Sequence, residues 1–177
     1  MNRIITSRLA RRVIAGAVIA GATIAGPLLA AGTASAQSGY ETFNAGNSLM
    51  AMDVSGSATY AGAPVIQWFD NGGHNQHWSI PDPGDTGPVI NQHSGMCLYT
   101  PGIAGAGLVQ EPCEGWAGEE WTVSEEWGLF GDVIVLRNPN YNLVADVYGD
   151  SLRAGSEIDA WYFNGNLNQQ FYEDSAN

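Results

Sequence analysis

The sequence has no lysine, only six arginines among its 177 residues, and only two cysteines. Four of the arginines lie within the first twelve residues, whereas all 18 acidic residues lie at Glu41 or later. Removal of the N-terminal segment would leave two arginines and a formal charge of −16. A domain with that charge repels phosphate backbones and acidic lipid headgroups. The composition therefore argues against a nucleic-acid-binding protein and against a membrane-surface protein.

The N-terminal segment has the three parts of a secretory signal peptide. The four arginines come first, an apolar run follows over residues 13–31, and residues 34–36 (Ala-Ser-Ala) have the small side chains of a cleavage site. We predict cleavage after Ala36, which would leave a secreted chain of 141 residues beginning at Gln37. An uncleaved membrane anchor is the alternative, because the run is almost long enough to span a bilayer. Its glycines, Pro27 and the cleavage site favour the signal peptide.

No later window keeps a helical period of apolar residues over three turns. Short apolar stretches, such as residues 65–68, 133–136 and 159–162, are separated instead by Gly, Asn, Asp and Pro. Short strands between turn residues are typical of an all-β barrel or sandwich. We therefore predict one all-β domain over residues 37–177 with little helix.

The first and last thirds of this domain repeat each other with a constant shift of 93 residues. The matched pairs include Asp53 and Asp146, Gly62 and Gly155, Trp68 and Trp161, Asn75 and Asn168, Gln76 and Gln169, and Trp78 and Phe171. The middle third is more diverged, and its Trp121 lies 43 residues after Trp78. We predict three repeats, at about 40–81, 88–125 and 130–173, which close a shared core only together.

These residues resemble the repeat of ricin-B-type lectin domains, which carries a Gln-x-Trp signature. The three variants of the signature are Gln76-His77-Trp78, Glu119-Glu120-Trp121 and Gln169-Gln170-Phe171. The resemblance covers the chain from Tyr40 to about Glu173. It implies a β-trefoil, a fold of twelve short strands with pseudo-threefold symmetry. This agrees with the all-β interpretation reached from the residues alone.

The resemblance also implies two carbohydrate-binding sites. The site residues are Asp53, Trp68, Asn75 and Gln76 in the first repeat, and Asp146, Trp161, Asn168 and Gln169 in the third. A carboxylate accepts hydrogen bonds from two sugar hydroxyls, an indole covers the C–H face of a pyranose, and an amide orients another hydroxyl. We expect the glutamines to support the fold or the site aspartate. Alternatively, the tryptophans pack under loops and the aspartates are turn residues, but neither explains why three residue types recur together.

The middle repeat lacks these side chains and is predicted to be structural. Tyr99, Glu111 and Gly118 stand where the other repeats have Asp, Trp and Asn. It also carries both cysteines, Cys97 and Cys113, at positions where repeats of the family often form an internal bridge. In a secreted chain, we expect this pair to form one disulfide.

Other residue patterns give little support to catalysis or metal binding. His74 and His77 have a spacing that could hold a metal on a helix, but no third ligand is evident in this turn-and-strand context. The neighbouring glutamates at 119–120 and 125–126 would point to opposite faces of a strand. The site aspartates lie in separate repeats, too far apart to flank one glycosidic bond. We expect no enzyme, no metal and no cofactor.

The sequence thus predicts a secreted, monomeric module that binds glycans or polysaccharides, without nucleic-acid or membrane partners. Through the resemblance, galactosides and xylan-type polymers are the first expected ligands. The alternative is a β-trefoil that binds a protein partner, as an inhibitor or scaffold, through the stiff loop Pro81–Asp85. Ile66 and Asp159 occupy matching positions, so the two sites are expected to differ in sugar preference.

Overall fold

The computed structural model describes residues 39–128 and 131–175, and the predicted signal peptide lies outside this part of the chain. The described residues fall within one contact unit, Ser35–Asn177. They form thirteen β-strands joined by turns and short 3-10 helices, which confirms the all-β prediction. None of the helices in this part of the chain has the length and hydropathy that a membrane crossing requires.

The strands follow one another in three groups that match the three repeats. The first group is β1 (Glu41–Ala45), β2 (Ala51–Val54), β3 (Ala63–Trp68) and β4 (His77–Ser79); the middle group is β5 (Thr86–Gly87), β6 (Ile90–Asn91), β7 (Cys97–Tyr99), β8 (Val109–Glu111) and β9 (Trp121–Gly128); the third group is β10 (Gly131–Asn138), β11 (Leu143–Val147), β12 (Ile158–Trp161) and β13 (Phe171–Ser175). Their hydrogen-bonded order is β12-β11-β10-β13-β1-β2-β3-β8-β7-β6-β4, with β5 and β10 also pairing with β9. An additional pairing of β1 with β4 closes part of this sheet on itself.

The central hairpin has the same register in each repeat. The directly opposed residues are Asp53 and Ile66, Tyr99 and Val109, and Asp146 and Asp159. Directly opposed residues project from the same face of a sheet. Each repeat therefore presents one such pair at the same place, which reproduces the alignment made from the sequence.

The middle repeat contains one strand more than the four expected from the resemblance. Its first strand is divided into β5 and β6, and Pro88 lies between the two pieces. Proline has no backbone N–H and cannot donate to a strand ladder, so it interrupts the pairing at this point. The first piece, β5, still pairs with β9, where Gly87 lies opposite Trp121.

The core contains a large aromatic ring at the matching position of each repeat. Trp78, Trp121 and Phe171 are all fully buried. The indole nitrogen of Trp78 donates to the Met52 carbonyl at 2.9 Å, and that of Trp121 donates to the Leu98 carbonyl at 2.9 Å. Phe171 has no polar atom that needs a partner. The aromatic position of the Gln-x-Trp signature is therefore a core position in all three repeats.

Buried glutamines connect neighbouring repeats. Gln67 Nε2 in the first repeat donates to the carbonyls of Ser151 and Arg153 in the third, both at 2.8 Å. Gln110 Nε2 in the middle repeat donates to the carbonyls of Ala58 and Tyr60 in the first, both at 3.0 Å. These bonds satisfy buried amides and position the loop of one repeat against a strand of the next.

The predicted disulfide between Cys97 and Cys113 is present. Cys97 begins β7 and Cys113 lies just beyond β8, with their Cα atoms 5.2 Å apart. Ala51 and Val144 stand at the position of Cys97 in the other repeats. The bridge is therefore a feature of the middle repeat alone.

Replacing both cysteines by alanine should lower the free energy of unfolding by about 3 kcal/mol. The bridge joins residues 16 apart and so restricts the unfolded chain. Urea unfolding of the double variant and of the oxidised protein would measure the loss. The reduced wild-type protein is the control and should approach the double variant. Equal stability of the oxidised protein and the double variant would contradict the prediction.

Candidate functional site

The first-repeat site is built around Asp53 on β2, a residue that is only 3% exposed. Asn75 and Gln76 approach it from the 3-10 helix His74–Gln76 that precedes β4. Asn75 Nδ2 and Gln76 Nε2 donate hydrogen bonds of 2.9 and 2.8 Å to the same oxygen, Asp53 Oδ2. Asn75 and Gln76, the two amides that the sequence placed at this site, are thus the donors to Asp53 Oδ2 among the described residues.

Gln76 also joins this carboxylate to the loop that follows β3. Its Nε2 donates to the Phe69 carbonyl at 2.9 Å, and its Oε1 accepts from the backbone N–H of Asn71 at 2.9 Å. Since Gln76 is fully buried, its side chain orients Asp53 and holds the loop from below. These are the supporting contacts that the sequence analysis favoured for this glutamine.

The third repeat has the same arrangement around Asp146. Asn168 Nδ2 donates to Asp146 Oδ1 at 2.8 Å, and Gln169 Nε2 donates to Asp146 Oδ2 at 2.6 Å. Gln169 also donates to the Tyr162 carbonyl at 2.9 Å and accepts from the backbone N–H of Asn164 at 2.8 Å. The two amides reach separate oxygens here, whereas in the first repeat they share one.

A half-exposed tryptophan lies on the same face as each aspartate. Trp68 follows Ile66 by two residues on β3, and Ile66 lies directly opposite Asp53, so all three side chains project from one face. Trp68 is 41% exposed and its counterpart Trp161 is 42% exposed. These values exclude the alternative in which the tryptophans are packed under loops. Each repeat therefore places an accessible indole beside a buried carboxylate.

The two indoles rest on glycines from neighbouring repeats. A Cβ added at Gly155 in the third repeat would lie 3.6 Å from Trp68 Cζ3, and one added at Gly105 in the middle repeat would lie 3.3 Å from Trp161 Cζ3. Both glycines have positive φ angles, of 85° and 83°, which other residues rarely adopt. Each stacking surface is thus supported by a repeat other than its own. The sequence analysis matched Gly155 with Gly62 by position but did not predict this contact.

The middle repeat fills the corresponding space with its own side chains. The ring of Tyr99 packs against Gly118, where an added Cβ would collide with it and with the Thr100 carbonyl. Trp116 contacts the same ring edge-on, with centroids 5.9 Å apart. Glu111 stands in place of the tryptophan. The contacts agree with the structural role predicted for this repeat.

Glu119 has a function that the sequence analysis missed. It was considered only as half of an acidic pair on a strand, but it is buried and ends the 3-10 helix Ala117–Glu119. Glu119 Oε2 accepts backbone N–H groups from Gly115 at 2.7 Å, Glu114 at 3.1 Å and Trp116 at 3.2 Å. Because Tyr99 stands in place of the aspartate, the residue at position 119 has no carboxylate to which it must donate. A side chain that only accepts hydrogen bonds from the loop is sufficient here. The alignment of Glu119 with Gln76 was the signal that could have revealed this.

The histidine pair has a different environment from the one that a metal requires. His77 is buried, and its Nδ1 lies 2.8 Å from Gln92 Oε1. Its ring lies 5.7 Å from that of His74. Within residues 39–128 and 131–175, no three His, Cys, Asp or Glu side chains are grouped so as to hold a metal ion.

Burial changes the acidity of both site aspartates. Loss of hydration raises the pKa of Asp53 from 3.8 to about 6, although the two amide hydrogen bonds oppose the shift. Burial likewise raises the pKa of Asp146, again opposed by two amide hydrogen bonds, and the charge of Asp150 adds to the rise. Both carboxyl groups are therefore less acidic than an exposed aspartate.

The family model described as ricin-type β-trefoil lectin domain-like matches residues 29–106 and 75–161. The chain belongs to this family. Family membership confirms both the resemblance and the β-trefoil fold, and it supports a carbohydrate-binding role for this lectin-type domain. No curated protein matches the sequence significantly.

Solved structures give the same fold for this ricin-type domain. The designed threefold-symmetric protein ThreeFoil is 28% identical, with a TM-score of 0.69 over 77% of this chain and 98% of that one. The C-half of an earthworm R-type lectin is 18% identical, with a TM-score of 0.64 over 78% and 99%. An exo-β-1,3-galactanase from Clostridium thermocellum is 22% identical, with a TM-score of 0.70 over 78% of this chain but only 30% of the enzyme. The trefoil therefore occurs both alone and as part of a longer enzyme.

The raised pKa of Asp53 makes stability depend on pH. Folded Asp53 holds its proton up to about pH 6, whereas unfolded aspartate loses it near 3.8, so ionisation weakens folding between these values. The free energy of unfolding should therefore decrease less with rising pH in Asp53→Asn than in the wild type. Urea unfolding at a series of pH values measures this. Asp82→Asn, on an exposed loop, is the control, and parallel profiles for Asp53→Asn and the wild type would refute the prediction.

The amide of Gln76 should be required for stability, because it donates a hydrogen bond to the buried carboxylate of Asp53. Gln76→Glu would place two buried carboxyl groups in contact and should lower the free energy of unfolding by roughly 2 kcal/mol at neutral pH. The loss should be smaller in acid, where the pair can share a proton. The reverse exchange in the middle repeat, Glu119→Gln, keeps an acceptor oxygen and adds no charge, so it should cost less. Equal losses for the two variants would argue against this account.

Proposed function

We propose that the protein is a secreted lectin with two shallow sugar sites, one in the first repeat and one in the third, that bind galactoside- or xylan-type glycans. The observation that carries the proposal is a recurring arrangement. An exposed indole stands beside a buried aspartate that two amides hold in place, in the first and third repeats, while the middle repeat fills the same space. A purely structural role would not require this combination twice.

Each arrangement offers the contacts that a pyranose needs. The exposed indole of Trp68 or Trp161 can cover the C–H face of the ring. In the first site both amides bind Asp53 Oδ2, so Oδ1 is the oxygen assigned to sugar hydroxyls. The adjacent asparagine, Asn75 or Asn168, donates to the aspartate and to the Val54 or Val147 carbonyl, and so it positions the carboxylate instead of orienting a further hydroxyl as the resemblance implied. A site of this size corresponds to millimolar affinity for a monosaccharide, about −4 kcal/mol.

The bound ligand of one similar structure and the activity of another support galactose-type ligands for this protein. The earthworm lectin was crystallised with GalNAc, and the Clostridium enzyme acts on a β-1,3-galactan. Xylan-type polymers remain in the proposal through the family resemblance. Two sites on one rigid domain would bind a polymer more tightly than either site binds a free sugar, because the second contact is intramolecular.

Secretion and the absence of catalysis are parts of the same proposal. The arginine-rich, apolar N-terminal segment with its Ala-Ser-Ala sequence supports export. The site aspartates stand in separate repeats, each held by its own pair of amides, and this favours binding over bond cleavage. The domain would then act as a monomer that recognises a glycan.

Removing both indoles should abolish retention on a polysaccharide. The test compares the wild type with the double variant Trp68→Ala/Trp161→Ala in pull-downs on galactan and xylan, using protein expressed from the full chain. Glu111→Ala alters the matching position of the middle repeat and is the control, which should bind like the wild type. Each single tryptophan variant should lose most of the tight retention, since one site cannot use the intramolecular gain.

The same experiment separates the alternatives. Retention of the double variant equal to that of the wild type would overturn the two-site proposal. Failure of every protein to bind any glycan would favour the protein-partner alternative and direct attention to the loop Pro81–Asp85. Mass spectrometry of the exported protein tests the secretion part, because a mature chain beginning at Gln37 is expected.

A further inference from the structure

The two proposed sugar sites differ in one cross-strand pair. In the first repeat Asp53 lies opposite Ile66, whereas in the third repeat Asp146 lies opposite Asp159. Directly opposed side chains share one face at a Cβ separation of about 5 Å. The third site therefore contains two neighbouring carboxyl groups where the first contains one.

Asp159 is buried without full hydrogen-bond compensation. Asp159 is only 2% exposed. It lies on β12, which pairs with β11 on one side, and Asp159 itself forms an isolated β-bridge with Gly107. Its Oδ1 is covered and has no hydrogen-bond partner among the described residues. Burial, followed by the charge of Asp146, raises the pKa of Asp159 to about 7; a hydrogen bond from its own backbone N–H opposes the rise, and the charge of Glu157 adds to it. A buried carboxylate oxygen without a donor is costly, and either a proton or a neighbouring cation relieves that cost.

The charges that raise the pKa values of this pair come from neighbouring carboxylates. Asp150 acts on Asp146, and Glu157 acts on Asp159. The chain has no lysine. Arg137 lies opposite Val144 on the neighbouring strand β10, with its guanidinium over the Phe163 ring, 4.9 Å from the centroid. Arg153 is exposed in the loop between β11 and β12. The local field at the third site therefore favours a ligand that brings a positive charge.

We infer that the third-repeat site selects a sugar carrying a protonated amine, such as a 2-amino-2-deoxyhexose, and that Asp159 is the residue that determines this selectivity. The inference rests on the proposed function. Because Asp159 is covered, the ammonium contacts the small exposed edge of Asp146, which is 5% exposed, and Asp159 contributes negative charge behind it. An ammonium group has three donors and no acceptor, which suits a site rich in carboxylate oxygens.

An organic ammonium fits this pair better than a metal ion does. Divalent cations such as calcium take six or more oxygen ligands. Within the described part of the chain, no three His, Cys, Asp or Glu side chains are grouped to hold a metal. A single charge with directional N–H donors needs fewer ligands, and the indole of Trp161 can cover the sugar ring that carries it.

The test exchanges the residue that lies opposite the site aspartate, which is Ile66 in the first site and Asp159 in the third. In a Trp68→Ala background, which leaves the third site alone, we expect galactosamine to bind about tenfold more tightly than galactose, corresponding to one charge-assisted hydrogen bond. Asp159→Asn, which keeps the shape and removes the charge, should bring this ratio close to one. N-acetylgalactosamine, whose nitrogen is uncharged, should not share the preference. NMR titration at neutral pH measures all three affinities.

The reciprocal variant shows whether the charge at this position is sufficient for the preference for galactosamine over galactose. In a Trp161→Ala background the first site should bind galactosamine and galactose about equally, and Ile66→Asp should introduce the preference for the amine. A merely structural role for Asp159 would not transfer in this way. If galactose binds but the ratio is the same with and without Asp159, this inference is wrong and the proposed function stands. If no sugar binds to either background or to the wild type, the proposed function itself fails.

Discussion

The structure depends on a core that no single repeat can close. Trp78, Trp121 and Phe171, at matching positions of the three repeats, all pack in the shared interior. Burying an aromatic side chain of this size stabilises the fold by roughly 2–3 kcal/mol. Because the indole N–H groups are satisfied by strand carbonyls, the tryptophans add no buried polar cost. The surface residues could diverge among the repeats, while the three ring positions remained aromatic.

The residue two positions before each of these rings holds a loop in all three repeats, and in two of them it also binds the site aspartate. In the first and third repeats it is a glutamine, whose amide N–H holds the site aspartate while its oxygen holds a loop. In the middle repeat it is Glu119, which only accepts, because Tyr99 leaves no carboxylate to hold. The loop is thus supported in all three repeats. A potential sugar site exists only where the residue also has a donor.

The sites also depend on contacts between repeats. Trp68 rests on Gly155 of the third repeat, and Gln67 beside it donates to carbonyls of the same loop. Trp161 rests in turn on Gly105 of the middle repeat. The middle repeat, which lacks the Asp, Trp and Asn set, therefore supports the proposed site of the third. This gives a physical reason for its disulfide, which stabilises a repeat on which another repeat's binding surface rests.

The sequence by itself determined the all-β class, the three repeats, the disulfide and the positions of the two Asp, Trp and Asn sets. These follow from local patterns, since alternation, turn residues and a constant shift can be read along the chain. It did not predict the division of a strand at Pro88 or the backbone contacts of Glu119. Only the tertiary structure decided that Gly155 lies under Trp68 and that Asp159 is covered without a donor for its Oδ1. Such contacts join residues far apart in sequence, and they exist only once the repeats have closed around the common core.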